Sequence, residues 1–526
     1  MAPATFNVLP VELVESIISF VDLPDICSLR LASRAFNDRT SHGRFKAFCQ
    51  RREILLTMPA LENLVRITSH DRYGRRVACL LQDCTLTGLL EESQVKLVDR
   101  GGHLRAPPPQ LVAGEDADMT ARQTELLTEV FRNIKKARRN DDKNGHNGIS
   151  LLSLRVAVRQ EDGVLRGAES ITMNFLPLWD MAQRTFRIAI DALLASNLGV
   201  STRLDVFHSQ QRCSFSSRVF VDILQDRMAE TSLASLTSVF STLQHLDISL
   251  SGPHRASGRR ITSEGTATQL TVIEQQAVYF MEVLHTILDL MATGALPTIK
   301  KLDIHWFKVH PYQPDTEEEE EREGESSVTL PEPSPLPPLS STLEKLSTTS
   351  IRLDSFALSG VKFTTADSLL QVLQALQPSH VTLYEIVLPS GAYDAVFAYL
   401  ADPASPVTSY HLDDLNDVNN GKLRYMYLFG PAKPKYPGWP RPRTLTRGTD
   451  EAKTAICYEM RPTRILGSGE AMNWRAARAR KFGFLTASTA LAAKTLFSSS
   501  GSRVPAAQLA RPFSISTEYI VARSGH

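Results

Sequence analysis

Eight side chains carry the recognition chemistry that spacing groups together: Arg155, His245, Asp247, Lys301, Asp303, His305, Tyr425 and Tyr427. Each stands beside apolar residues in a short stretch of the form L-x-x-L-x-L, and alternate side chains of a strand point to opposite faces. Charged, imidazole and phenol groups of both signs on one face suit the binding of a protein surface, where Tyr and Arg are frequent anchors. Bond-making chemistry has no comparable grouping. The chain has no G-x-S-x-G, P-loop or H-E-x-x-H motif, and Gly467-Ser468-Gly469 is too short to cradle a phosphate. Cys27, Cys49, Cys79, Cys84, Cys213 and Cys457 are scattered, and the C-x-x-C pairs that zinc requires are missing. Nothing around Cys457 resembles an activating base. The expectation is a non-catalytic chain with no cofactor and no metal.

The elements that must position these side chains lie between residues 55 and 430. Apolar strand positions recur at Leu151/Leu154/Val156, Leu243/Leu246/Ile248, Ile299/Leu302/Ile304, Leu353/Phe356/Leu358, Leu383/Ile386/Leu388 and Leu423/Met426/Leu428. The successive spacings are 92, 56, 54, 30 and 40 residues, so the repeat is degenerate, with helices and insertions in the longer gaps. A helix is predicted from Leu270 to Met291, where positions 270, 273, 277, 280, 284, 287 and 291 make one apolar face. Others are predicted from Ala366 to Leu376, with Thr364 and Thr365 as caps, and from Tyr393 to Leu400, where Val396, Phe397 and Leu400 face inward. Each strand and helix unit buries its apolar face only against a neighbour, which is the logic of a stacked array.

The first forty residues follow different rules. Leu9-Pro10 opens a helix with proline where its missing N–H does no harm, and apolar residues then fall at 13, 17 and 20 and at 14, 18 and 21. Pro24 opens a second helix with Ile26, Leu29 and Leu31 buried, and Ser33 is placed to cap a third through Phe36. Three helices this short expose more apolar surface than they can bury in one another, so they need a partner. Leu9-Pro10, Glu12-Leu13, Ile17, Leu23-Pro24-Asp25-Ile26, Leu29-Arg30-Leu31 and Ser33-Arg34-Ala35-Phe36 closely resemble the F-box family, with Phe36 where many members carry tryptophan. The resemblance covers about forty residues. It implies a module that inserts apolar side chains into a Skp-type adaptor, which in turn binds a cullin. Leu9, Pro10, Leu13, Ile17, Ile18, Leu29 and Leu31 are the candidates for adaptor contact. The stretch from Leu353 to Leu400 is more loosely similar to the strand and helix tail of fungal F-box proteins.

Composition narrows the rest. With 526 residues and a net charge of +1, the chain has no global attraction to nucleic acid or an anionic membrane. Unpaired cysteines fit a reducing compartment. The first twenty residues lack a basic region and a cleavage site, and the most apolar run, Phe482 to Phe497, is broken by Lys494. Gly101 to Asp118 and Lys135 to Gly148 read as surface loops. The acidic run Asp315 to Glu325 and the Pro-rich stretch Pro331 to Pro338, within 313–339, read as a disordered insertion. From Arg441 to His526 there are 14 Lys/Arg against 5 Asp/Glu, read as a basic, poorly ordered tail.

These readings give an α/β chain: a three-helix F-box at 6–48, an irregular leucine-rich-repeat-like α/β solenoid at 55–430 with disordered insertions, and a tail at 441–526. The resemblance implies the substrate receptor of an SCF-type ubiquitin ligase in the cytoplasm or nucleus. Its partners would be a Skp adaptor, a cullin through it, and an unknown target, with no membrane and no nucleic acid. Two other readings stay open: an adaptor-bound structural protein outside any ligase, and an enzyme whose site is assembled from residues distant in sequence.

Overall fold

Two apolar positions on each of eight parallel strands of the main sheet line up across it, and that alignment organises the chain. In the computed structural model, residues 9–32 (apart from 19 and 22), 50–70, 78, 81–95, 113–139, 148–168, 176–230, 233–252, 267–307, 351–419, 422–429 and 443–462 are described. Sixteen strands and eleven α-helices lie among them.

The helices are α1 (Val11–Ile18), α2 (Leu23–Ala32), α3 (Met58–Ser69), α4 (Glu92–Val95), α5 (Ala113–Arg139), α6 (Leu176–Ser196), α7 (Ser217–Glu230), α8 (Leu233–Phe240), α9 (Ala267–Ala292), α10 (Ser368–Leu376) and α11 (Ala392–Ala401). The main sheet takes β1 (Arg51–Leu55), β2 (Asp83–Glu91), β3 (Gly148–Arg159), β5 (Gly199–Val206), β7 (His245–Ser251), β8 (Lys301–Phe307), β9 (Ser355–Ser359), β10 (His380–Tyr384) and β12 (Ser409–Asp413), paired in chain order and parallel throughout. Strand β15 (Thr444–Gly448) pairs antiparallel with β12 and covers its edge, while β4 (Leu165–Gly167) and β6 (Phe215–Ser216) are short additions to β3 and β7. At the other edge, Arg51, Arg52 and Glu53 of β1 are exposed, and charges on an edge strand discourage pairing with another chain.

One register row reads Cys84, Leu152, Leu204, Leu246, Leu302, Phe356, Val381 and Tyr410; the next reads Leu86, Leu154, Val206, Ile248, Ile304, Leu358, Leu383 and Leu412. All sixteen are buried, and each apolar side chain among them contributes about 1.5–3 kcal/mol relative to exposure. Helices cover this face. Two residues beyond Leu86, Gly88 lies against Thr185 and Met181 of α6, and Trp306 of β8 meets Phe280 of α9 edge-on. Helix α5 buries Leu127, Val130, Phe131 and Ile134 in the same layer.

A second sheet branches from the first. After β9, β10 and β12 the chain turns through Gly360, Glu385 and Asp414, all with positive φ. It then runs into a bridge between Lys362 and Val387 and into the strands β11 (Val387–Pro389) and β13 (Asn416–Asn419). Strands β14 (Lys422–Phe429) and β16 (Cys457–Pro462) complete the order β11-β13-β14-β16.

Several sequence expectations change. Strand β5 lies within the 92-residue gap. Its apolar pair Leu204 and Val206 follows the polar run Ser201-Thr202-Arg203, which hides it. The triplet Leu383/Ile386/Leu388 straddles β10, the turn at Glu385 and β11, so β10 takes its core positions from Val381 and Leu383. Leu423/Met426/Leu428 belongs to β14, an antiparallel strand of the second sheet; the next strand of the main sheet is β12. Residues 113–118 and 135–139, read as parts of loops, are helical in α5, and β15 and β16 fall within the stretch read as a tail. Helix α10 starts at Ser368 after Asp367, and no side chain caps it. The third N-terminal helix around Ser33 and Phe36, the insertion 313–339 and the tail beyond 462 lie outside the described residues. Among the described residues no helix is long and apolar enough to cross a membrane.

The turn at Gly360 yields a controlled comparison. A Cβ there would need a left-handed backbone and would run into the carbonyl oxygen of Trp306, whereas Gly294 has the same backbone sign and open space around it. Gly294→Ala is expected to lose about 1–2 kcal/mol from the backbone alone, and Gly360→Ala about 1–3 kcal/mol more from overpacking. Urea unfolding checks this: equal midpoint shifts in the two variants would contradict the close approach.

Candidate functional site

The residues between the two buried rows point to the other face of the main sheet. There, Thr85, Ser153, Asp205, Asp247, Asp303, Ala357, Thr382 and His411 stand in one register row. Asp205, Asp247 and Asp303 therefore sit on three adjacent strands, about 4.8 Å apart in the pairing direction, and three carboxylates that close repel one another. Each has its own counterweight. Asp205 accepts the backbone N–H groups of His208 and Ser209 at 3.0 and 3.2 Å and the Ser153 hydroxyl at 3.3 Å. Asp247 accepts from the guanidinium Nε of Arg203, and Asp303 pairs with His208 Nε2 at 3.1 Å.

His208 sits in a turn that this carboxylate row builds. Phe207, buried and at φ 59°, reverses the chain, and the Asp205 carboxylate holds the turn. The Gln210 side-chain amide then pairs with Val156 of β3, accepting from its N–H at 2.8 Å and donating to its carbonyl at 2.6 Å, as a neighbouring strand would. His305 lies next to His208, its Nδ1 3.2 Å from Ser249 Oγ and its ring edge-on at 6.3 Å. Burial works against a charge on His208. The bond to Asp303 and the charges of Asp303, Asp247 and Asp205 outweigh it, and its pKa is raised. Burial likewise raises Asp247, opposed by Arg203 and His208, while burial with Lys301 and Arg203 lowers His245.

The N-terminal helices present a different surface. Val14 and Ile18 of α1 and Ile26 of α2 form a small core, 0, 2 and 0 % exposed, with Leu9, Val21 and Leu29 packed on it. The Pro10 carbonyl accepts the N–H groups of Leu13 and Val14 and starts α1. About 100° around the same helix, Leu13 is 52 % exposed and Ile17 43 %, and Phe20 just beyond is 86 % exposed. Residues 6–47 match the family model of the F-box domain. This segment is an F-box. No curated protein matches the chain.

Among the residues expected to contact an adaptor, the F-box exposes Pro10, Leu13 and Ile17, half-buries Leu9 and Leu29, and encloses Ile18 in its own core. The side chain of Leu31 lies outside the described residues. On the main sheet, the structure brings together His245, Asp247, Lys301, Asp303 and His305 on the neighbouring strands β7 and β8, with exposed Arg155 two strands away on β3. Tyr425 and Tyr427 do not join them. They lie on β14 of the second sheet, where the guanidinium of Arg443 stacks over both rings at 4.1 and 5.7 Å and pairs with Asp414 at 2.8 Å. Sequence reasoning passed over Arg203, Asp205, His208 and Gln210 because β5 itself was hidden. The signal that would find them is Leu204-x-Val206 behind a helix. Among the described residues no group of three or more His, Cys, Asp or Glu side chains is arranged to hold a metal.

The raised pKa of His208 fixes the sign of a pH dependence. Its pairing with Asp303 contributes stability fully below the unfolded histidine pKa, about 6.5, and that contribution disappears as pH rises through the higher folded value. Thermal melts of the wild type and His208→Gln from pH 5.5 to 8.5 should therefore differ most at the acid end and converge at the alkaline end. A constant difference would contradict the ion pair.

Proposed function

We propose that this chain is the substrate receptor of an SCF-type ubiquitin ligase, docking a Skp adaptor through its F-box and a target protein on the open face of the main sheet. The observation that carries the reading is the two-sidedness of α1. Its Val14 and Ile18 side is closed by the bundle itself, and its Leu13 and Ile17 side, with Phe20, is left to solvent. An exposed cluster of large apolar side chains on so short a helix fits an anchor seated in another polypeptide. Leu9, Pro10, Leu13, Ile17 and Leu29 make that contact, while Ile18 supports it from beneath.

The main sheet supports the second half of the proposal. Parallel strands paired in chain order, most of them returning through a described helix, fit a leucine-rich-repeat-like array whose other face carries polar side chains for binding. That face gathers Arg155, Arg203, His208, His245, Asp247, Lys301, Asp303 and His305, a mixed-charge surface suited to a polar, charged target segment. The receptor makes and breaks no bonds. It holds the target near the charged ubiquitin-conjugating enzyme that the cullin brings, raising the effective concentration of the attacking lysine. A cytosolic or nuclear location follows from that role.

Leu13→Glu/Ile17→Glu is the direct test, because both side chains are exposed and the substitution spares the buried core. Titration calorimetry with a Skp adaptor should show affinity reduced about 100-fold or more, equivalent to about 2.7 kcal/mol, with unchanged far-ultraviolet dichroism. Undiminished binding would remove the basis of the proposal. Recovery of adaptor without cullin from cells would leave the F-box contact standing and refute the ligase role.

A further inference from the structure

Four cations on one stripe of α5 converge on a cavity of about 180 Å³, which they line among the described residues: Arg132, Lys135, Lys136 and Arg139. Their spacing of three, four and seven residues places them on the same side of the helix, and like charges so placed repel one another. Two of them serve the fold. Arg132 donates to the Ala195 carbonyl at 3.3 Å and Lys135 to the Ser196 carbonyl at 3.4 Å and to that of Asn197. Both thus cap the carboxyl end of α6, where cations offset the helix dipole. Lys136 and Arg139 play no such part; both are exposed, and among the described residues neither makes a hydrogen bond or an ion pair. No acidic side chain among the described residues pairs with any of the four. Burial, and then the charge of Arg139, lower the pKa of Lys135.

We propose that this cavity binds a phosphate group, with Lys136 and Arg139 as its principal ligands and Lys135 at its base. A carboxylate brings one negative charge to four positive ones, whereas a phosphate monoester or a diphosphate brings about two or more. The Arg139 guanidinium offers the planar fork that pairs bidentately with phosphate oxygens, and the lysine ammonium groups supply point charges around it. The site lies on the helical layer and is independent of the F-box.

The test uses the full-length chain at constant ionic strength, with thermal unfolding followed against pyrophosphate, a phosphoserine peptide and acetate. A ligand that binds only the folded chain raises the unfolding midpoint saturably. Pyrophosphate or the phosphopeptide is expected to do so, acetate, with its single charge, far less, and the stronger of the two identifies a free phosphate or a protein-borne one. Lys136→Gln/Arg139→Gln should weaken the apparent affinity at least tenfold, while Lys136→Arg/Arg139→Lys, which keeps both charges, should restore it. An unresponsive wild type overturns the proposal. Equal responses from wild type and the glutamine variant, or equal responses to acetate and the phosphate probes, overturn it as well.

Discussion

The alignment of apolar side chains across the parallel strands is the constraint on which the rest of the chain depends. Because side chains alternate along a strand, a slip of one residue at β7 would turn Leu246 and Ile248 outward and drive Asp247 into the layer beneath the helices. Burying an unpaired carboxylate there would cost far more than the apolar contacts return. The apolar rows therefore choose one register for eight of the nine parallel strands, and that register decides which polar residues become neighbours on the opposite face. Helices of very different length, from α10 to α5, are accommodated because only the strand positions must match.

That choice has an electrostatic consequence. The register that buries Leu204, Leu246 and Leu302 also brings Asp205, Asp247 and Asp303 side by side. The chain answers the repulsion locally, with backbone N–H groups for the first, Arg203 for the second and His208 for the third. The left-handed turn at Phe207 and the strand-like pairing of Gln210 with Val156 carry His208 back over the sheet. The pairing of Asp303 on this polar face rests on one imidazole, so that ion pair responds to pH. The second sheet ends this face on a different principle: Arg443 fills the space between Asp414 and the two tyrosine rings.

The F-box follows a smaller version of the same rule. A helix of eight residues has two apolar sides, and α2 covers only one of them. What remains uncovered is local to the module, which is why a resemblance of about forty residues reads clearly.

The F-box was legible from sequence because its determinants are short-range: helix starts at prolines, apolar residues three and four apart, and a partner-seeking side that follows from length alone. The strands around Leu246, Leu302 and Phe356 were legible for the same reason, since each contains its own alternation. Tertiary structure alone decided which strands are neighbours. A period of two places Tyr425 and Tyr427 on a face without saying of which sheet, and the turns at Glu385 and Asp414 send that part of the chain into a second one. The same limit hid the pairing of His208 with Asp303, two groups 95 positions apart in the chain that meet only because β7 separates their strands by a single step. Sequence determines what each segment must bury; which charges then share a surface depends on the packing of all the segments at once.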